Sequence, residues 1–71
     1  MTLRFHRELY DGQAVDAAVK QLADYATFDL VEEPSYWVVK VETEADDDAR
    51  AVAGELGNFA LGLTIQRRGG L

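Results

Sequence analysis

The sequence predicts a small α+β domain with the element order β-α-β-β-α. Two segments, residues 12–26 and residues 45–71, repeat apolar residues at intervals of three and four, which is typical of amphipathic helices. Residues 36–42 are rich in β-branched and aromatic side chains, and two further stretches alternate apolar with polar residues, which is typical of strands. Because each helix must bury an apolar face, we expect helices packed on one sheet.

The first strand is predicted over residues 2–10. Leu3, Phe5 and Leu9 occupy odd-numbered positions, and polar residues occupy most of the even-numbered positions. This alternation predicts one buried face and one face in contact with water. Asp11-Gly12 is expected to end the strand.

The first helix is predicted over residues 12–26. This segment is rich in alanine, the residue with the highest helix propensity. Its apolar stripe consists of Ala14, Val15, Ala18, Val19, Leu22 and Tyr25.

The second and third strands are predicted to be joined by a turn. The second strand is short and contains Phe28 and Leu30. Pro34 indicates the turn over residues 32–35, because proline fixes its own φ and biases the preceding residue away from helix. In the third strand one parity includes Lys40, which resists burial, so the other parity is expected to face the core. The inward residues are Trp37, Val39 and Val41.

The second helix has a start signal, an apolar stripe and a stop signal. The aspartates at positions 46–48 supply an N-cap candidate and place negative charge at the positive end of the helix dipole. Arg67 and Arg68 favour the opposite end, and Gly69-Gly70 ends the helix. The stripe consists of Ala49, Val52, Ala53, Leu56, Phe59, Ala60 and Leu63.

Three glycines lie inside this second helix, at Gly54, Gly57 and Gly62. Each costs about 1 kcal/mol relative to alanine. We expect them to mark positions where the sheet, the first helix or a second chain approaches closely. Asn58, which lies among them, is expected to face solvent.

Chain topology then predicts the strand order. A right-handed β-α-β crossover with the third strand inserted between the first two gives an antiparallel sheet of order 1-3-2, with both helices on one face. This arrangement is a ferredoxin-like fold that lacks its last strand, so the first strand is left as an open edge. Residues 1–68 are expected to form one domain, and residues 69–71 a flexible tail. The predicted core is Leu3, Phe5, Val19, Leu22, Phe28, Leu30, Trp37, Val39, Val41, Val52, Leu56, Phe59 and Leu63.

Composition excludes several classes of partner. Thirteen acidic and seven basic residues give a net charge of −6, which repels nucleic acid. No apolar run approaches the roughly 20 residues that span a bilayer, so we expect no membrane partner and a cytoplasmic location. A chain of 71 residues without cysteine has a thin core and no disulfide or thiolate metal site. Small domains of this kind often associate, so we expect a homodimer.

No residue pattern predicts catalysis, a cofactor or a metal site. The carboxylates in the turn at 32–33 and at 46–48 lack the spacing of a calcium loop. One alternative is a small enzyme or enzyme subunit that uses His6, the single histidine, with a nearby carboxylate such as Glu8. Another is a ubiquitin-like carrier, because the Arg-Arg-Gly-Gly-Leu ending resembles the Arg-Gly-Gly ending of those proteins. Their element order is β-β-α-β-β, however, which differs from the order predicted here.

Several segments resemble the small D component of His-Xaa-Ser peptide-modification systems (HxsD-like proteins). They are Leu9-Tyr10 with the alanine-rich segment that follows, the strand at 37–41, and the segment Glu-Leu-Gly-Asn-Phe-Ala-Leu at 55–61, which is similar to the family pattern Glu-Phe-x-Asn-x-x-Leu. The resemblance implies an accessory protein that acts beside a radical enzyme during peptide maturation. It transfers no active-site residue.

The favoured function is a non-enzymatic module that binds a protein or peptide. One candidate surface is the open edge, with Arg4, His6 and Glu8 along the first strand; pairing two copies about His6 would place Arg4 opposite Glu8. The second candidate is the sheet face that no helix covers, where Val31, Tyr36 and Val38 are expected to contact water.

Overall fold

A computed structural model describes residues 1–69, apart from the side chain of Asp46. It has the predicted α+β class and element order. Gly70 and Leu71, which belong to the predicted tail and to the carrier alternative, lie outside the described residues. The elements are β1 (Thr2–His6), α1 (Gly12–Gln21), β2 (Thr27–Glu32), β3 (Tyr36–Glu42) and α2 (Asp46–Arg67).

The sheet has the predicted antiparallel order β1-β3-β2. β1 pairs with β3 from Thr2 opposite Lys40 to His6 opposite Tyr36. The N-terminal residue extends this pairing, because Met1 and Val41 exchange backbone hydrogen bonds of 2.7 and 2.9 Å. With β3 in the centre, the outer edges of both β1 and β2 are left without a strand among the described residues.

Both helices pack on one face of the sheet, and the core lies between these two layers. Of the predicted core, Phe5, Leu22, Val39, Val41 and Leu56 are buried. Small residues of the helices complete the buried cluster and allow close packing of α1 on α2; they are Val15, Ala18 and Ala60. The other predicted core residues, except Phe59, are partly buried against this cluster: Leu3, Val19, Phe28, Leu30, Trp37, Val52 and Leu63.

The prediction that Phe59 belongs to the core is wrong, because its side chain is 41% exposed. The inward stripe of α2 consists of the buried residues along one side of the helix. They are Ala49, Ala53, Leu56, Ala60 and Thr64. Phe59 lies at the margin of that stripe and faces a surface groove instead. Three alanines in the stripe bring the helix close to its neighbours, which leaves little room for a phenylalanine ring.

β1 and α1 both end earlier than the sequence predicts. β1 ends at His6 and not at Tyr10, because the His6 carbonyl accepts hydrogen bonds from the amides of Leu9 and Tyr10 and so closes a turn. Leu9 is consequently exposed, and the ring of Tyr10 packs edge-on against Phe5 with centroids 4.9 Å apart. α1 ends at Gln21, where the amide of Leu22 donates to the last carbonyls of the helix.

The ends of the helices also correct the predicted caps. Ala45 is the N-cap of α2 and makes no side-chain capping bond, so the prediction of an aspartate cap is wrong. Asp11, which was predicted to end a strand, is the N-cap of α1, and its Oδ2 accepts a hydrogen bond of 3.0 Å from the Ala14 amide. An aspartate in extended conformation before a helix satisfies one of the free amides of the first turn.

The internal glycines of α2 have open space around them. A Cβ atom built at Gly54, Gly57 or Gly62 would meet no neighbouring atom within 4 Å. The expectation that the sheet or α1 approaches these positions closely is therefore wrong, and approach by a second chain stays a prediction. Among residues 1–69, no helix combines the length and apolar character needed to cross a bilayer.

Candidate interaction surface

The outward face of the sheet carries both sets of predicted interaction residues. The register places Arg4 and Val31 on either side of Val38, and it places His6 beside Tyr36. Side chains opposite one another in antiparallel strands share a face. The edge and the open face, which were predicted as two surfaces, therefore form one surface. We call Arg4, His6, Val31, Tyr36 and Val38 the sheet patch.

Val38 lies at the buried centre of the sheet patch. It is only 4% exposed, which corrects the expectation that it contacts water. It lies on the central strand, so residues of β1 and β2 flank it on both sides. Val31 and Tyr36 keep 41% and 36% of their surface exposed. A partner would therefore touch Val31 and Tyr36, while Val38 supports them from the centre of the sheet.

His6 is held in place within the sheet patch. Its ring packs edge-on against Tyr36, with centroids 5.3 Å apart. Its Nδ1 accepts a hydrogen bond of 3.2 Å from the backbone amide of Glu8. The contact between His6 and Glu8 therefore involves the Glu8 main chain. Together with Tyr36, it fixes the orientation of the imidazole ring.

Glu8 lies outside β1, in the turn that follows it. Because β1 ends at His6, a strand ladder between two copies would reach Glu8 only if the following turn opened, and the predicted pairing of Arg4 with Glu8 about His6 stays a prediction. The Glu8 carbonyl instead accepts a hydrogen bond of 3.0 Å from Nη2 of Arg68. An interaction role for the Glu8 side chain stays a prediction.

Charged residues border the apolar part of the sheet patch on one side. Lys40 lies between Thr2 and Asp29 in the neighbouring row of the register. Both Lys40 and Asp29 are exposed, so opposite charges are available beside the exposed valine and tyrosine. An apolar centre with a polar rim is typical of protein interfaces.

The C-terminal arginines of α2 have a structural role that sequence reasoning missed. Nε of Arg67 forms an ion pair of 2.6 Å with Asp11, and Arg68 donates to the carbonyls of Glu8 and Leu9. The Asp11 amide donates a hydrogen bond of 3.1 Å to the hydroxyl of Thr64, which is buried. These contacts fasten the end of α2 to the loop before α1. The aspartate immediately before Gly12, read as a helix cap, is the signal that could have indicated them.

A groove on the helical side was also missed. It lies between the end of α1 and the first half of α2, and exposed Tyr25 and Phe59 contribute to its lining. Helical spacing assigned both aromatic residues to apolar stripes, so no sequence pattern indicates that they are accessible. Among the described residues, no three histidine, aspartate or glutamate side chains are grouped closely enough to hold a metal ion.

Comparison of the chain with protein-family models, with curated proteins and with solved structures finds no match. The resemblance to HxsD-like proteins therefore stays a prediction.

Proposed function

We propose that this chain is a non-enzymatic interaction module that forms a homodimer and binds a protein or peptide partner through the sheet patch. The observation that carries the proposal is the exposure of Val31 and Tyr36 around buried Val38 on the face that no helix covers. Apolar and aromatic groups clustered in this way gain free energy when a partner removes them from water. The chain is cysteine-free, which suits the cytoplasmic location that the proposal includes.

The edge of β1 offers a second means of attachment next to the sheet patch. β1 runs over Thr2–His6 without a proline, and among the described residues it pairs only with β3. Its outer backbone groups can accept an added strand, from a second copy or from an extended peptide. Arg4 and His6 belong both to this edge and to the sheet patch.

An accessory role in peptide maturation, as the HxsD-like resemblance implies, would require the chain to hold an extended peptide, and an open edge is suited to that task.

The enzyme alternative gains no support, because His6 accepts a hydrogen bond from the Glu8 amide instead of contacting the Glu8 carboxylate.

The test compares charge substitutions at matched exposed positions. Val31→Glu and Tyr36→Glu introduce a carboxylate into the sheet patch, whereas Leu61→Glu introduces one at an exposed apolar position of α2. Val38→Glu is unsuitable because it would bury a charge and unfold the domain. We expect sedimentation equilibrium to give a dimer for the parent and Leu61→Glu, and the 7.9 kDa monomer for the two sheet variants. All variants should retain the parent circular dichroism spectrum.

Two outcomes would contradict the proposal. One is a parent chain that stays monomeric at millimolar concentration and whose β1 amides show no added protection from hydrogen exchange. The other is a dimer that dissociates on Leu61→Glu and persists on Val31→Glu, which would place the interface on α2.

A further inference from the structure

The groove between the helices is formed by two adjoining concavities. The larger, of about 800 Å³, lies among the turn after α1, the start of β2, the end of β3 and the first turns of α2. The smaller, of about 440 Å³, continues between α1 and α2 as far as Phe59. Tyr25, Ala51 and Val52 line both, so we treat them as one feature and call it the helix groove. It shares no residue with the sheet patch.

Apolar and aromatic side chains line the inner part of the helix groove. Tyr25 is 70% exposed, and the exposed ring of Phe59 also lines the smaller concavity. Leu22 and Val52 line the same concavity and are more deeply buried. Exposed aromatic residues over an apolar floor are the features that supply most of the binding energy in protein interfaces.

The charges of the helix groove all have one sign. No lysine or arginine contributes to its lining, whereas five carboxylates do: Asp24, Glu42, Glu44, Asp48 and Glu55. The two ion pairs among the described residues join Lys20 to Asp16 and Arg67 to Asp11, so neither neutralises a carboxylate of the groove. A concave surface with one sign of charge focuses its field and attracts ligands of the opposite charge.

We propose that the helix groove binds a basic amphipathic peptide segment of another protein. A large apolar side chain of that segment would insert between Tyr25 and Phe59, and its lysine or arginine residues would lie along the carboxylates. Docking of an amphipathic segment into an apolar groove is a common mode of peptide recognition. The negative charge of the groove favours a positively charged partner. Tyr25 and Phe59 form the site for its apolar anchor residue.

A second copy of this chain offers no contiguous basic amphipathic segment in its described part. Arg67 and Arg68 are the one adjacent basic pair, and both are held by the loop before α1. The other basic residues are isolated from one another along the sequence. The inference is therefore separate from the proposed homodimer, and either can fail without the other.

The experiment uses three synthetic peptides of equal length, titrated into the full chain by calorimetry. The first is an amphipathic leucine–lysine peptide, the second replaces lysine with glutamate, and the third replaces leucine with serine. We expect only the first to bind measurably, and we expect its affinity to fall as salt is raised. Equal binding of the glutamate or serine peptide would overturn the proposal, as would no binding of the first peptide at millimolar concentration.

Matched variants locate the binding site. Asp48→Asn combined with Glu55→Gln removes two charges from the helix groove, and Glu32→Gln combined with Glu33→Gln removes two charges at the end of β2, outside the groove. We expect the groove pair to raise the Kd about tenfold or more and the control pair to raise it about twofold or less. Tyr25→Ala, which leaves the net charge unchanged, should also raise the Kd about tenfold.

Two results would assign the carboxylates another role. If the groove and control pairs weaken binding equally, attraction depends on net charge alone and the site is wrong. If Mg²⁺ or Ca²⁺ alone binds stoichiometrically and Asp48→Asn with Glu55→Gln abolishes that binding, the groove is a cation site and the peptide proposal is overturned.

Discussion

The indole of Trp37 occupies the space that a side chain at Gly12 would need. A Cβ atom built on Gly12 would lie 2.6 Å from Cζ2 of Trp37 and 2.9 Å from its Cη2. The indole is held from two other directions, because its Nε1 donates a hydrogen bond of 3.1 Å to the Tyr10 carbonyl and the Arg7 guanidinium lies 4.1 Å from the ring centroid. Glycine at the start of α1 therefore allows Trp37 to pack between the helix and the loop before it.

Gly12→Ala should destabilise the domain, because the new methyl group displaces a ring that is fixed by two contacts. We expect a loss of about 1–3 kcal/mol in the free energy of unfolding, measured from urea denaturation. Gly54→Ala is the matched control: it adds the same methyl group to open space within α2 and should increase stability by about 0.5–1 kcal/mol. Shifts of the same sign for both variants would contradict this account of Gly12.

Leu56→Ala tests the inward stripe of α2. Leu56 is the largest of the fully buried side chains, so its truncation should leave a cavity and cost about 2–5 kcal/mol. That loss is a large share of the stability of a domain of this size. Leu61→Ala, on the exposed side of the same helix, should change stability by about 0.5 kcal/mol or less. Equal denaturant midpoints for the two variants would show that the stripe is misplaced.

Thr64→Val tests the attachment of α2 to the loop before α1. Valine has nearly the same shape but no hydroxyl, so the Asp11 amide would lose its acceptor in a partly buried site. We expect a loss of about 1–3 kcal/mol in thermal or urea unfolding. Thr27→Val, at an exposed position of β2, should be neutral or slightly stabilising because valine favours strands. A neutral effect at Thr64 would mean that water replaces the hydroxyl.

Arg7→Ala tests the guanidinium over Trp37. Removing it exposes the ring, so the emission of the single tryptophan should shift to longer wavelength and stability should fall by about 0.5–1 kcal/mol. Arg50→Ala removes an exposed arginine from α2 and should leave the emission unchanged. An unchanged emission maximum in Arg7→Ala, with the same quenching by iodide as the parent, would rule out the contact in solution.

The element order and the topology of this protein follow from local patterns in its sequence. Periodicity is a local property: the repeats in 12–26 and 45–71 and the alternation in the strands indicate helix or strand without knowledge of any distant contact. Once the order β-α-β-β-α is known, the handedness of the crossover and the need to bury both helices leave β1-β3-β2 as the sheet order. The central core residues Val39, Val41 and Leu56 follow from the same periodicity.

Which apolar residues are accessible depends on contacts between distant parts of the chain. Val38 and Phe59 are each in the environment expected for the other, because burial depends on neighbours that come from other elements. β1 and β2 flank Val38, whereas Phe59 is exposed and lines a surface groove. The early end of β1 depends on the turn closed at His6, and the position of α2 depends on Asp11 and Thr64, which are distant in sequence. Such contacts leave no periodic signal, so the sheet patch and the helix groove emerge only when the chain is folded.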